Sequence, residues 1–63
     1  MKMLLIKKVS RGGMWYRNLI GQTVPFLGIF PEGDYKSREP EGYVNIVLPQ
    51  DAEIVEVETL EGK

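Results

Sequence analysis

One tripeptide occurs twice in this chain, as Pro31-Glu32-Gly33 and as Pro40-Glu41-Gly42. With the residue before each proline it spells a four-residue turn, Phe30 to Gly33 and Glu39 to Gly42. Proline presets φ at the second turn position, and glycine at the fourth accepts positive φ. The result is a type I turn followed by a bulge, which joins antiparallel strands. Asp34 to Arg38, between the two turns, has the length of one strand. The spacing therefore predicts a three-stranded meander: Thr23 to Phe30, Asp34 to Arg38, and Tyr43 to Leu48.

The third strand of that meander opens the stretch on which the rest depends, Gly42 to Val57. Tyr43 to Leu48 is apolar and β-branched, interrupted at Asn45, and suits a pleated, half-buried surface. Pro49 stops it, because proline cannot donate to a ladder. Pro49 to Ala52 reads as a single 3₁₀ turn. A last strand follows, with Val55 and Val57 alternating with Glu56 and Glu58, the period of a strand with one wet face. Ile54 breaks the alternation and is placed at a barrel corner.

Lys2 to Val9 is a first strand with one apolar face. Ser10-Arg11-Gly12-Gly13 has loop chemistry. Met14 to Ile20 is either a helical turn or an irregular arm folded over the sheet. In Thr23 to Phe30, Pro25 and Gly28 mark a bent or edge strand. Val24, Phe26 and Phe30 share one face, and Pro25, Leu27 and Ile29 the other. Both faces are apolar, so alternation leaves open which one points inward.

A chain of 63 residues with no cysteine and no histidine is one domain without disulfides or thiolate metal sites. It buries only roughly 60% of its unfolded surface. The apolar run Met3 to Ile6 is too short for a signal segment or a membrane span, so a cytoplasmic protein with no membrane partner is expected. The net charge of −1 is unevenly spread. Residues 1–20 hold Lys2, Lys7, Lys8, Arg11 and Arg17 with no acid, and residues 41–63 hold Glu41, Asp51, Glu53, Glu56, Glu58 and Glu61 against Lys63 alone. The preferred reading is that a basic first strand pairs beside an acidic last strand. The rival is a nucleic-acid surface of Lys7, Lys8, Arg11 and Arg17 with stacking by Trp15 and Tyr16.

The order of strand, long arm, three-stranded meander, 3₁₀ turn and strand is that of a small SH3-like barrel. Three motifs carry a resemblance: Trp15-Tyr16-x-x-Leu19-Ile20-Gly21-x-Thr23, Glu41-Gly42-Tyr43-Val44-Asn45 and Asp51-Ala52-Glu53-Ile54-Val55. In them the chain resembles the small SH3-like barrel proteins of Bacillus-type phages and prophages, the YorP-like group, over nearly its whole length. The resemblance implies that barrel fold and a phage accessory role in the host cytosol. The expected architecture is thus all-β, a five-stranded SH3-like barrel over residues 1–58 with a long first loop, and a polar tail over 59–63 that frays.

No catalytic residue is nominated. The hydroxyls Ser10, Thr23, Ser37 and Thr59 have no histidine to activate them. The carboxylate pairs Glu39/Glu41 and Glu56/Glu58 read as solvated, and neither metal-ligand nor phosphate-loop spacing occurs. No cofactor is expected. Aromatic residues in or beside loops, Trp15, Tyr16, Tyr35 and Tyr43, with Arg17, are the candidate partner-binding residues, although the arm lacks the acids that SH3 domains set opposite ligand arginines. For Trp15, with Leu19, the alternative is a lid on the core. A second candidate surface is Leu27 and Ile29, with Pro25 and Val47, set against a second copy or a partner; the alternative is that the arm Ser10 to Ile20 covers it. The expected function is a non-catalytic module that binds and modulates a host or phage protein. Nucleic-acid binding and a homo-oligomerising structural module stand as alternatives.

Overall fold

The computed structural model describes residues 1–58, so the expected tail at 59–63 lies outside the described residues. The strands are β1 Lys2–Ile6, β2 Thr23–Pro25, β3 Gly28–Ile29, β4 Tyr35–Arg38, β5 Val44–Val47 and β6 Ala52–Glu56, with a 3₁₀ turn Pro49–Asp51 between the last two. They form two antiparallel three-stranded sheets, β2-β1-β6 and β3-β4-β5.

Both Pro-Glu-Gly turns form. Gly33 N–H donates to Phe30 O and Gly42 N–H to Glu39 O, each at 2.8 Å. Phe30 N–H then reaches Asp34 O at 2.8 Å and Glu39 N–H reaches Tyr43 O at 2.7 Å, closing the two hairpins. Gly33 and Gly42 hold φ of 106° and 107°, which only glycine adopts without strain. The two hairpins and the 3₁₀ turn thus stand where the sequence places them, although only Gly28–Ile29 of the expected first strand joins the meander.

The predicted five-stranded SH3-like barrel does not form. Among the described residues six strands lie in two sheets, and no ladder closes one sheet onto the other. The run from Thr23 to Phe30 is not one strand. Pro25 brings no N–H, and Gly28, at φ 143°, turns the chain, so β2 belongs to one sheet and β3 to the other. Alternation of burial nevertheless carries across that bend, with Val24, Phe26 and Phe30 on the more buried side and Leu27 and Ile29 exposed. Val24 is buried and Phe26 packs on the core, while Ile29 stands opposite Tyr35 in the second sheet. Ile54 is not at a corner; it is paired with Leu4 within β6.

The core lies between the sheets. Leu4, Ile6, Val24 and Ala52 come from the first sheet, Val47 from the second, and Tyr16 from the arm. Leu4 faces Val24 on one side and Ile54 on the other, and Ile6 faces Ala52. Val9, Met14, Trp15, Leu19, Phe26 and Tyr35 pack around that centre. Burying a side chain of this size stabilises by about 1.5–3 kcal/mol, so in a chain this short each core position carries a sizeable share.

The basic first strand does lie beside the acidic last one. Lys2 stands opposite Glu56, and Lys7 Nζ is 3.4 Å from Glu53 Oε1. The Met1 ammonium sits 2.6 Å from Glu56 Oε2 and holds that carboxyl below its usual range. These pairs are well exposed, so solvent and salt screen them and they contribute little to stability.

Candidate functional site

The arm from Ser10 to Gln22 is irregular, held by short-range turns such as Arg17 N–H to Met14 O at 3.2 Å and Leu19 N–H to Tyr16 O at 2.9 Å. Its anchor is Asp51, fully buried at the end of the 3₁₀ turn. Ser10 donates to that carboxylate through its N–H, at 3.1 and 3.2 Å, and through its hydroxyl. Tyr16 Oη donates to Asp51 Oδ2 at 2.6 Å. Burial pushes the Asp51 carboxyl upward, but the Ser10 and Tyr16 hydrogen bonds, with Lys8 nearby, outweigh it and set the net shift downward. Burial and the Asp51 hydrogen bond push the Tyr16 phenol up to about 12. A buried carboxylate with several donors is stable as an anion, and it fastens the arm to the far end of the chain.

The fastened arm seals one sheet edge at Ile46 and Leu48, while the outward backbone groups of Val44 have no partner among the described residues. Tyr43, Asn45 and Val47 turn their backbone groups toward β4, so Val44, Ile46 and Leu48 turn theirs outward. Trp15 Nε1 donates to Ile46 O at 2.7 Å, and Ile46 N–H donates to Asn45 Oδ1 at 2.8 Å. Leu48 N–H donates to Tyr16 Oη at 3.3 Å, and Asp51 N–H takes Leu48 O at 2.9 Å. Side chains therefore occupy positions where a neighbouring strand would bond. Trp15 and Tyr16, stacked edge-on with centroids 5.5 Å apart, act as that neighbour.

The other edges differ. On β2, Pro25 removes one of the outward donors. A cleft of about 240 Å³ runs along this edge, lined by Leu19, Thr23, Val24, Pro25, Arg38 and Pro40 among others. β3 is only two residues long. On β6, Lys7 N–H reaches Asp51 O and Val57 N–H reaches Met1 O, both at 2.8 Å. Residues 51, 53, 55 and 57 therefore face β1, and 52, 54 and 56 face outward. Ala52 N–H is taken by Pro49 O. The outward N–H and C=O groups of Ile54 and Glu56 have no partner among the described residues.

The residues nominated from the sequence are not gathered into one surface. Tyr16 is fully buried and bonded to Asp51, so it is a core residue and not a partner contact. Trp15 is half-buried and spent on Ile46. Tyr35 is half-buried against Phe26, edge-on at 5.9 Å. Arg17 is exposed and turns back to Met14 O at 3.2 Å. Leu27 and Ile29 are 42% and 59% exposed at the bend, while Tyr43, 71% exposed, lies beyond the opposite turn. Val47, grouped with Leu27 and Ile29 from the sequence, is fully buried in the core. Of the residues nominated for partner binding, only Pro25, grouped with Leu27 and Ile29 from the sequence, lines the cleft among the described residues.

Sequence reasoning missed Asp51 as anchor and the backbone edge of β6. Asp51 is one acid among many, and its partners lie 35 and 41 residues away. A free edge is a backbone property with no residue signature. Comparison with protein-family models, curated proteins and solved structures gives no match. The resemblance to the YorP-like group rests on its three sequence motifs alone.

Proposed function

We infer that this protein is a non-catalytic binding module that takes up an extended segment of another protein along β6. One observation carries the reading: the four sheet edges are treated unequally. β5 is capped by arm side chains at Ile46 and Leu48 and, among the described residues, open only at Val44, β2 is blunted by Pro25, and β3 is two residues long. β6 has five residues, no proline, and outward backbone groups left open at Ile54 and Glu56. Proteins blunt edges they do not use, because an open edge is a template for pairing. A strand added there gains main-chain hydrogen bonds for affinity and side-chain contacts for specificity.

Selection of binders from a displayed library of random linear peptides tests this. The expected binders shift the backbone amide resonances of Ile54 and Glu56 first and leave Leu48 in place. Binders that instead map to Trp15, Arg17 and Tyr43, or to the cleft along β2, would overturn the reading.

A further inference from the structure

If β6 accepts a strand, its side chains specify that strand, and this inference rests on the reading just given. Along β6 and its continuation, acids stand at 53, 56 and 58 and aliphatic residues at 54, 55 and 57. Each residue of an added strand sits opposite one of these, on the same face. The chain already displays the chemistry that suits β6, on its other side. There β1 sets Lys2 opposite Glu56, Met3 opposite Val55, Leu4 opposite Ile54 and Leu5 opposite Glu53, with Lys7 reaching Glu53 diagonally.

The acids have capacity left. Lys7 engages Glu53 Oε1 and the Met1 ammonium engages Glu56 Oε2, so one oxygen of each carboxylate remains. Glu58 has no cation within salt-bridge distance among the described residues. Ile54, 37% exposed although on the core-facing side with Leu4, offers an apolar contact to whatever lies next to it. A second copy of β6 is the wrong neighbour, because Glu53, Glu56 and Glu58 of both copies would crowd adjacent strands with no cation between them.

We propose that the partner of β6 is an extended basic–aliphatic segment of another protein. Run antiparallel from its contact with Glu58 to its contact with Glu53, it reads basic, aliphatic, basic, aliphatic, aliphatic, basic. Basic side chains meet Glu58, Glu56 and Glu53, and aliphatic ones meet Val57, Val55 and Ile54. Its third and fifth residues, opposite Glu56 and Ile54, exchange backbone hydrogen bonds with β6.

The test uses the unmodified protein and synthetic hexapeptides, with affinity measured by calorimetry at low and high salt. The first probe is Lys-Val-Lys-Val-Val-Lys with blocked ends. The second replaces each lysine by glutamate. Two more carry N-methyl groups, either on the third and fifth residues or on the second and fourth. The lysine peptide is expected to bind about ten-fold or more tightly than the glutamate peptide, a gap that narrows as salt screens it. N-methylation of the third and fifth residues should abolish binding, and of the second and fourth should spare it. If lysine and glutamate peptides bind alike, with the same N-methyl pattern, the edge reading stands and the basic partner is refuted. If no peptide binds, or N-methylation at either pair has the same effect, both readings fall.

Discussion

Replacing Tyr16 by phenylalanine removes one oxygen and breaks two interactions. The phenol donates to buried Asp51 at 2.6 Å and accepts Leu48 N–H at 3.3 Å. A hydrogen bond to a charged group contributes about 1.5–3 kcal/mol, and orphaning a buried donor costs about 1–3 kcal/mol. The ring still fills its place in the core, so the expected loss is about 3 kcal/mol. A domain of this length has a total stability of about 3–9 kcal/mol. Urea unfolding at neutral pH should therefore show the midpoint falling by about 3 M, given a slope of about 1 kcal/mol per M. The pH profile sharpens the test. Tyr16 is raised to about 12, so the stability it contributes is whole below an unfolded phenol pKa of ~10 and disappears as pH climbs toward its folded value. Asp51 is lowered, so its contribution is whole above ~3.9 and is lost as pH falls through its folded pKa. Tyr16→Phe should erase the alkaline loss and weaken the acid one. A variant within about 0.5 kcal/mol of the parent, with both limbs unchanged, would refute the anchor.

Trp15→Phe should cost about 1–2 kcal/mol by stranding Ile46 O, and hydrogen exchange should quicken along β5 while β1 is unaffected. Ser37 is fully buried and its hydroxyl has no partner among the described residues, so Ser37→Ala should be neutral or stabilising by calorimetry; a loss above about 1 kcal/mol would reveal a bond for that hydroxyl. Leu27 and Ile29 are exposed at the bend, so replacing both by threonine should change the unfolding midpoint little. Light scattering on a sizing column then shows whether they join two copies: a parent dimer that the double variant splits would establish it, and a parent that is monomeric at high concentration would exclude it.

The local part of this fold was legible because its signals are local. Each Pro-Glu-Gly turn is specified within four residues, and Pro49 announces the 3₁₀ turn by itself. The pairing of β1 with β6 was readable from charge, because opposite signs were segregated to the two ends of the chain. The bend between β2 and β3 was only half-readable. Pro25 and Gly28 signalled irregularity, but whether a strand curves or changes sheet depends on what packs beneath it. Tyr16 reads from the sequence as a partner-binding aromatic because it sits in or beside a loop. Its place in the core is decided by Asp51, a long-range partner that nothing near either residue announces. The edge of β6 was hidden for a different reason. Glu53, Ile54 and Glu56 read as an ordinary half-exposed strand, and only the capping of β5 and the shortness of β2 and β3 make it stand out.

Residue-resolved amide hydrogen exchange of the free protein tests the central claim most directly, that one edge is open and its counterpart sealed. The outward amides of Ile46 and Leu48 on β5 should be protected, held by Asn45 and Tyr16. The outward amides of Ile54 and Glu56 on β6 should exchange at nearly unstructured rates, while Val55 and Val57, bonded toward β1, exchange slowly. Protection at Ile54 and Glu56 equal to that at Val55, or fast exchange at Leu48, would contradict the account.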